Sequence, residues 1–106
     1  MVNDIFDEAG IPYRRGRFTG AKAATYAVYM DDLASEGADR SPHLIIRHDI
    51  TIELYESKPD DAAEAALENA ISARGAQWIK QDRIWLQTEQ LYQVIYEFSY
   101  FEKRRA

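Results

Sequence analysis

The chain has 106 residues, 46% of them hydrophobic and 29% charged, with a net charge of −5 and no cysteine. That length supports one domain with a single core, and that composition excludes disorder throughout. The acidic balance argues against nucleic acid as a main partner, because phosphate binding needs a basic surface, and the missing cysteines remove disulfides, thiolate metal sites and cysteine nucleophiles.

The opening "MVNDIFDEAG" is acidic and short of apolar length, so it does not read as a signal peptide. No apolar run approaches the ~20 residues that a membrane-crossing helix needs. Val2, Ile5, Phe6 and Ala9 share one helical face, which predicts a short helix over 2–9 with Asn3 or Asp4 as its cap and Gly10 as its stop. Pro12 forbids further helix. Residues 13–23, "YRRGRFTGAKA", read as an exposed basic loop with a short strand near Tyr13 and Arg14.

Residues 24–30, "ATYAVYM", alternate as a strand, and 31–42, "DDLASEGADRSP", read as a turn-rich connector. The clearest element is "HLIIRHDITIELYE", residues 43–56. Leu44, Ile46, His48, Ile50, Ile52 and Leu54 fall on one side of its pleat, as in a half-buried antiparallel strand. A helix follows over 60–74, opened by Pro59 and Asp60 and ended by Gly75. Its buried stripe is Ala63, Ala66, Leu67, Ala70 and Ile71, with Glu64 and Glu68 pointing outward. Residues 76–81 and 83–89 read as two strands paired through a turn near Asp82. Residues 91–101 alternate again, with Tyr92, Val94, Tyr96, Phe98 and Tyr100 on one face and Leu91, Ile95 and Phe101 on the other. The terminal "EKRRA" reads as frayed. The order helix, strands, helix, strands predicts one α+β domain over 1–106: a small antiparallel or mixed sheet with two helices on one face.

No motif for catalysis emerges. His48 sits on the apolar side of its strand and reads as a core or edge histidine with one ring nitrogen hydrogen-bonded. His43 is five residues away, on the opposite face, so the two cannot share a metal ion within one chain. Asp49 also points away from His48. The serines lack a nucleophile-elbow setting, and "RRGRFTGAK" lacks the order of a phosphate loop. The acid pairs read as turn or helix-end residues, with Asp60 and Asp61 at the positive end of the second helix. Neither a metal nor a cofactor site is expected. Two features point to contacts instead. Arg14, Arg15, Arg17 and Lys22 form a basic cluster in an acidic protein, suited to weak, salt-sensitive contacts. The last strand is apolar on both faces, which makes Tyr92, Tyr96, Tyr100 and Phe101 candidates for a subunit interface.

A helix ending in "GIPY", the "YAVYMDD" strand, "IRHDITIELYESKPDDAAEAALENAI" and the terminal "YQVIYEFSYF" together resemble the tail terminator-like proteins of long-tailed phages, here in a prophage-encoded form. Most of the likeness lies in "ITIELYESKPD", the helix after it, and "LYQVIYEF". The resemblance implies a structural, non-enzymatic subunit without cofactor. Its copies form a homo-oligomer, a hexameric ring that caps the tail tube, stops its polymerisation and joins it to the head connector. Partners are then further copies, the tail tube protein and connector proteins, with DNA passing only transiently through the lumen and no membrane. The location is the virion tail or neck, and the host cytoplasm during assembly. The basic loop becomes a ring-to-tube or lumen contact. Alternatives are another neck component, for head closure or tail completion, or a small ligand-binding or enzymatic α+β domain using His48, Asp49 and the arginine loop.

Overall fold

A computed structural model describes residues 1–16, 24–38 and 43–105, with the backbone alone for 35–38, 43–44 and 104–105. Eight elements follow in order: α1 (Val2–Ala9), β1 (Tyr13–Arg15), β2 (Thr25–Ala38), β3 (His43–Glu56), α2 (Asp61–Ala73), β4 (Trp78–Lys80), β5 (Ile84–Leu86) and β6 (Leu91–Arg105). The strands form one six-stranded mixed sheet in the order β1-β2-β3-β6-β4, with β5 also on β6. β1 is parallel to β2, and every other pairing is antiparallel. The α+β class and the order of elements are as the sequence predicts.

Alternation along β3 fixes the register. Ile50, Ile52 and Leu54 lie beside Phe98, Tyr96 and Val94 of β6 and beside Asp31, Tyr29 and Ala27 of β2. Ile5 and Phe6 of α1 and Leu67, Ala70 and Ile71 of α2 close over the same face, and all five are wholly buried. Gly10 ends α1 in the left-handed region at φ 72°, as expected of a terminating glycine. Asp60 caps α2 by accepting from the Ala63 N–H at 3.1 Å. The Tyr13 ring stacks on Phe6 at 4.8 Å and so fastens β1 to α1.

Several expectations change. Asn3 and Asp4 lie inside α1, whose cap is Met1 without a side-chain bond. The strand predicted over 24–30 continues to Ala38, because β3 offers it partners along its whole length and pairing outweighs the turn-prone sequence. β4 and β5 do not pair with each other; both pair with β6. Residues 102–105 are not frayed but extend β6 along the start of β3. Glu64 is buried rather than outward.

The outcome is an elongated molecule, 51 × 25 × 22 Å, with a radius of gyration of 15.3 Å, against about 13 Å for a compact domain of this length. The three long strands, at about 3.3 Å per residue, reach more than twice as far as the ~20 Å of α2. One end of β2, β3 and β6 therefore runs beyond the helices as a three-stranded arm.

Candidate interaction surfaces

At the root of the arm stands His48. Its side chain is 8% exposed, and both ring nitrogens meet carboxylates. Nδ1 lies 2.9 Å from Asp31 on β2, and Nε2 lies 2.7 Å from Glu102 on β6. The ring stacks on Tyr100 at 4.4 Å with its plane tilted by only 5°. The sequence suggested one hydrogen bond; the structure gives two, because β2 and β6 both bring an acid to the face that His48 occupies. A neutral imidazole has one N–H, so both bonds together require a second proton within the three groups. The cluster ties all three strands of the arm together where the helices stop covering them.

A second polar cluster pins α2 to the sheet. Glu56, wholly buried at the end of β3, has Arg83 Nε at 3.4 Å. Arg83 also reaches Glu64 at 2.7 Å and Asp61 at 2.9 Å. Lys80 reaches Glu64 at 2.8 Å and Glu68 at 2.7 Å, and the Tyr96 hydroxyl donates to Glu68 at 2.7 Å. Burial, followed by the neighbouring Glu64, pushes the Glu56 carboxyl up to about 8. Burial also disfavours the Glu64 charge, but the neighbouring Glu56, together with Lys80 and Arg83, outweighs it and holds that carboxyl below its ordinary range. Lys80 is raised because Glu64 and Glu68 prevail over its own burial. These groups occupy one another, and the arrangement is a fastening rather than an open site. A sequence signal for it existed. Glu56 continues the buried parity of β3, and Glu64 precedes Leu67 and Ile71 by three and seven residues on α2.

The face of the sheet away from the helices is exposed at Met30, Asp32, Ser99 and Phe101, whereas Tyr26 and Val28 on the same face are buried. Its middle strand is polar: Arg47 donates to Asp49 at 3.2 Å, and Ser99 donates to Asp49 at 2.6 Å. The Ser99 bond comes first among the causes that lower the Asp49 carboxyl. Asp49 and His48 lie on opposite faces, as the alternation requires, so they do not converge. Arg14 and Arg15 are exposed on β1, and Arg15 donates to the backbone oxygen of Asp31 at 3.3 Å. Arg17 and Lys22 lie outside the described residues.

The candidate interface residues separate. Tyr96 is 0% exposed in the core, which removes it from any subunit contact. Tyr92 and Tyr100 are half-buried on the helix side, the first against Trp85 at 4.8 Å and the second against His48. Phe101 alone of the four stands well out, 65% exposed on the face away from the helices. Leu33, which the sequence reading placed in a connector, is 54% exposed on β2 of the arm. Among the described residues no group of three or more His, Cys, Asp or Glu side chains could hold a metal ion, and no helix is long and apolar enough to cross a membrane.

No protein-family model matches the chain, and no curated protein does. Solved structures do. A chain from the "Virion of native gene transfer agent (GTA) particle" matches with a TM-score of 0.59 and 14% sequence identity, covering 96% of this chain and 84% of that one. Identity so low makes this a likeness of fold, and the fold is shared along nearly the whole chain.

Proposed function

We propose that this chain is a structural protein of a phage-type particle, tail terminator-like in role. Copies form a ring that caps the tail tube, ends its growth and joins it to the head connector. The observation that carries this reading is the fold shared over 96% of the chain with a component of a gene transfer agent virion. The long arm with exposed Leu33 and Phe101 supports it, since an isolated domain has no use for a sheet extended past its own core. The two polar clusters support it as well, because their charged groups are spent on holding strands and helix together. On this reading the chain works by contact, not catalysis. Its partners are further copies, the tube protein and the connector, and DNA only passes through. Its place is the tail or neck of the virion, reached from the host cytoplasm.

Electron microscopy of the purified protein mixed with polymerising tail tubes tests the role. Tubes of uniform length with a cap at one end are expected. Tubes that grow on past their normal length in its presence would overturn the reading.

A further inference from the structure

The arm has two outer edges, and they differ in charge. Among the described residues, β1 pairs with β2 only at Ala27, Val28 and Tyr29, and β4 and β5 pair with β6 no further than Phe98. The outer sides of β2 from residue 30 and of β6 from residue 99 therefore carry backbone groups without a strand partner. Such edges are templates for strand addition. Residues 30–38 contain Asp31, Asp32 and Glu36 and no base, whereas residues 99–105 contain Lys103, Arg104 and Arg105 against Glu102. Asp32 and Lys103 are both exposed and carry opposite charges, one on each edge.

We propose that these two edges meet: copies of this chain join head to tail, β6 of one beside β2 of the next, so that the sheet runs on from copy to copy. The occupant is a second copy because the alternative self-pairings fail on charge. A two-fold contact sets β2 against β2 or β6 against β6, acid facing acid or base facing base, and like charges opposite one another destabilise a sheet. The head-to-tail contact sets acid against base. It is parallel, because β2 and β6 are each antiparallel to β3.

Backbone parity agrees. The Ala27 N–H donates to Pro12 and the Tyr29 carbonyl accepts from Gly16, so odd residues of β2 point their backbone groups outward, Leu33 among them. The Ile95 carbonyl accepts from Gln81, so odd residues of β6 point outward too, Phe101 and Lys103 among them. In a parallel pair each outward residue bonds the two outward residues flanking its neighbour, so odd positions of β2 must sit beside even positions of β6. One such register puts Met30 beside Phe101 and Asp32 beside Lys103, all on the face away from the helices. It joins two exposed apolar side chains, 37% and 65% exposed, and two opposite charges at once. A ring or an open filament follows from the same contact, depending on the rotation between copies.

This inference names the joining surfaces, which the proposed role does not, and it stands on edge geometry whether or not the role is tail termination. The chain has no cysteine, so cross-linking is clean. Met30→Cys and Phe101→Cys are made separately, concentrated and oxidised, alone and mixed. The expected result is a disulfide-linked dimer in the mixture, little in either variant alone, and a ladder of higher species when one chain carries both substitutions. No cross-link in the mixture, or an equal yield from one variant alone, overturns the contact. A charge swap guards against damage by the cysteines. Asp32→Lys and Lys103→Glu each abolish association of the full chain in sedimentation, and mixing the two restores it; association that ignores both reversals also overturns the contact. If tubes are capped at uniform length while the cross-links fail, the edge assignment is wrong and the role stands. If cross-links form while tubes overgrow, the role is wrong and the contact stands.

Discussion

Glu56 has both carboxyl oxygens shielded from solvent, and the nearest cation, Arg83, is shared with Glu64 and Asp61. With its carboxyl raised from 4.5 to about 8, the folded chain keeps a proton that the unfolded chain releases. The stability this proton contributes is full below the unfolded value and is lost as pH rises through about 8. Glu64 is shifted the other way, so its contribution is lost as pH falls through its lowered value. Glu56→Gln keeps the shape and the neutral charge. Its melting temperature is expected to fall less than that of the parent between about pH 6 and pH 9, and equal slopes in thermal unfolding would contradict the assignment. His48 makes a different prediction. Removing it leaves Asp31, only 14% exposed, facing no base on that side. His48→Ala is expected to lose about 3 kcal/mol in denaturant unfolding, because a buried charge is left without its partner. A loss below about 0.5 kcal/mol, the level of an ordinary surface change, would show that the cluster is idle.

Among the elements, α2 depends most on a single residue before its start. Asp60 accepts from the Ala63 N–H and also from the Thr25 hydroxyl at 2.7 Å, so it caps the helix and ties it to the first residue of β2. Asp60→Ala is expected to cost about 1 kcal/mol in urea unfolding, the usual worth of a lost cap. Leu67→Ala, in the wholly buried stripe, is expected to cost about 2–5 kcal/mol. Both α1 and α2 were legible from apolar spacing, and β3 and most of β6 from period two, because each has one buried face and burial writes a period into the sequence. Residues 31–38 were not legible as strand, because Asp32 and Leu33 are exposed on opposite faces of β2 and "DDLASEGA" carries no apolar alternation. The short β4 and β5 were found, but not their partner, since three residues do not specify a register. Arg14, Arg15 and Phe101 could be read as exposed from the sequence, and each of them is. The His48 cluster could not, because its acids come from strands 17 and 54 residues distant.

At the scale of the whole molecule, a packed α+β body continues into a three-stranded arm that runs beyond the described helices, in which Ile46 and His48 are still buried. The helices close only the body, and the arm is held by strand pairing, the His48 clasp and buried Ile46. Substitutions at exposed arm residues should therefore separate folding from assembly. Phe101→Lys is expected to change unfolding free energy by no more than about 0.5 kcal/mol, as for a surface site, while removing association in sedimentation. Arg14→Glu combined with Arg15→Glu should likewise leave stability alone but weaken attachment to tail tubes, most clearly at low salt, where exposed charges act furthest.

The central claim is that the outer edges of the arm are used. Amide hydrogen exchange of the free chain against the assembled one tests it most directly, because an edge N–H is bonded only when a strand joins it. The account predicts fast exchange at outward amides in 30–38 and 99–105 of the free chain and protection of those same amides on assembly, with α2 and the middle of β3 protected in both. Exchange in those two segments that is unchanged by assembly would contradict it.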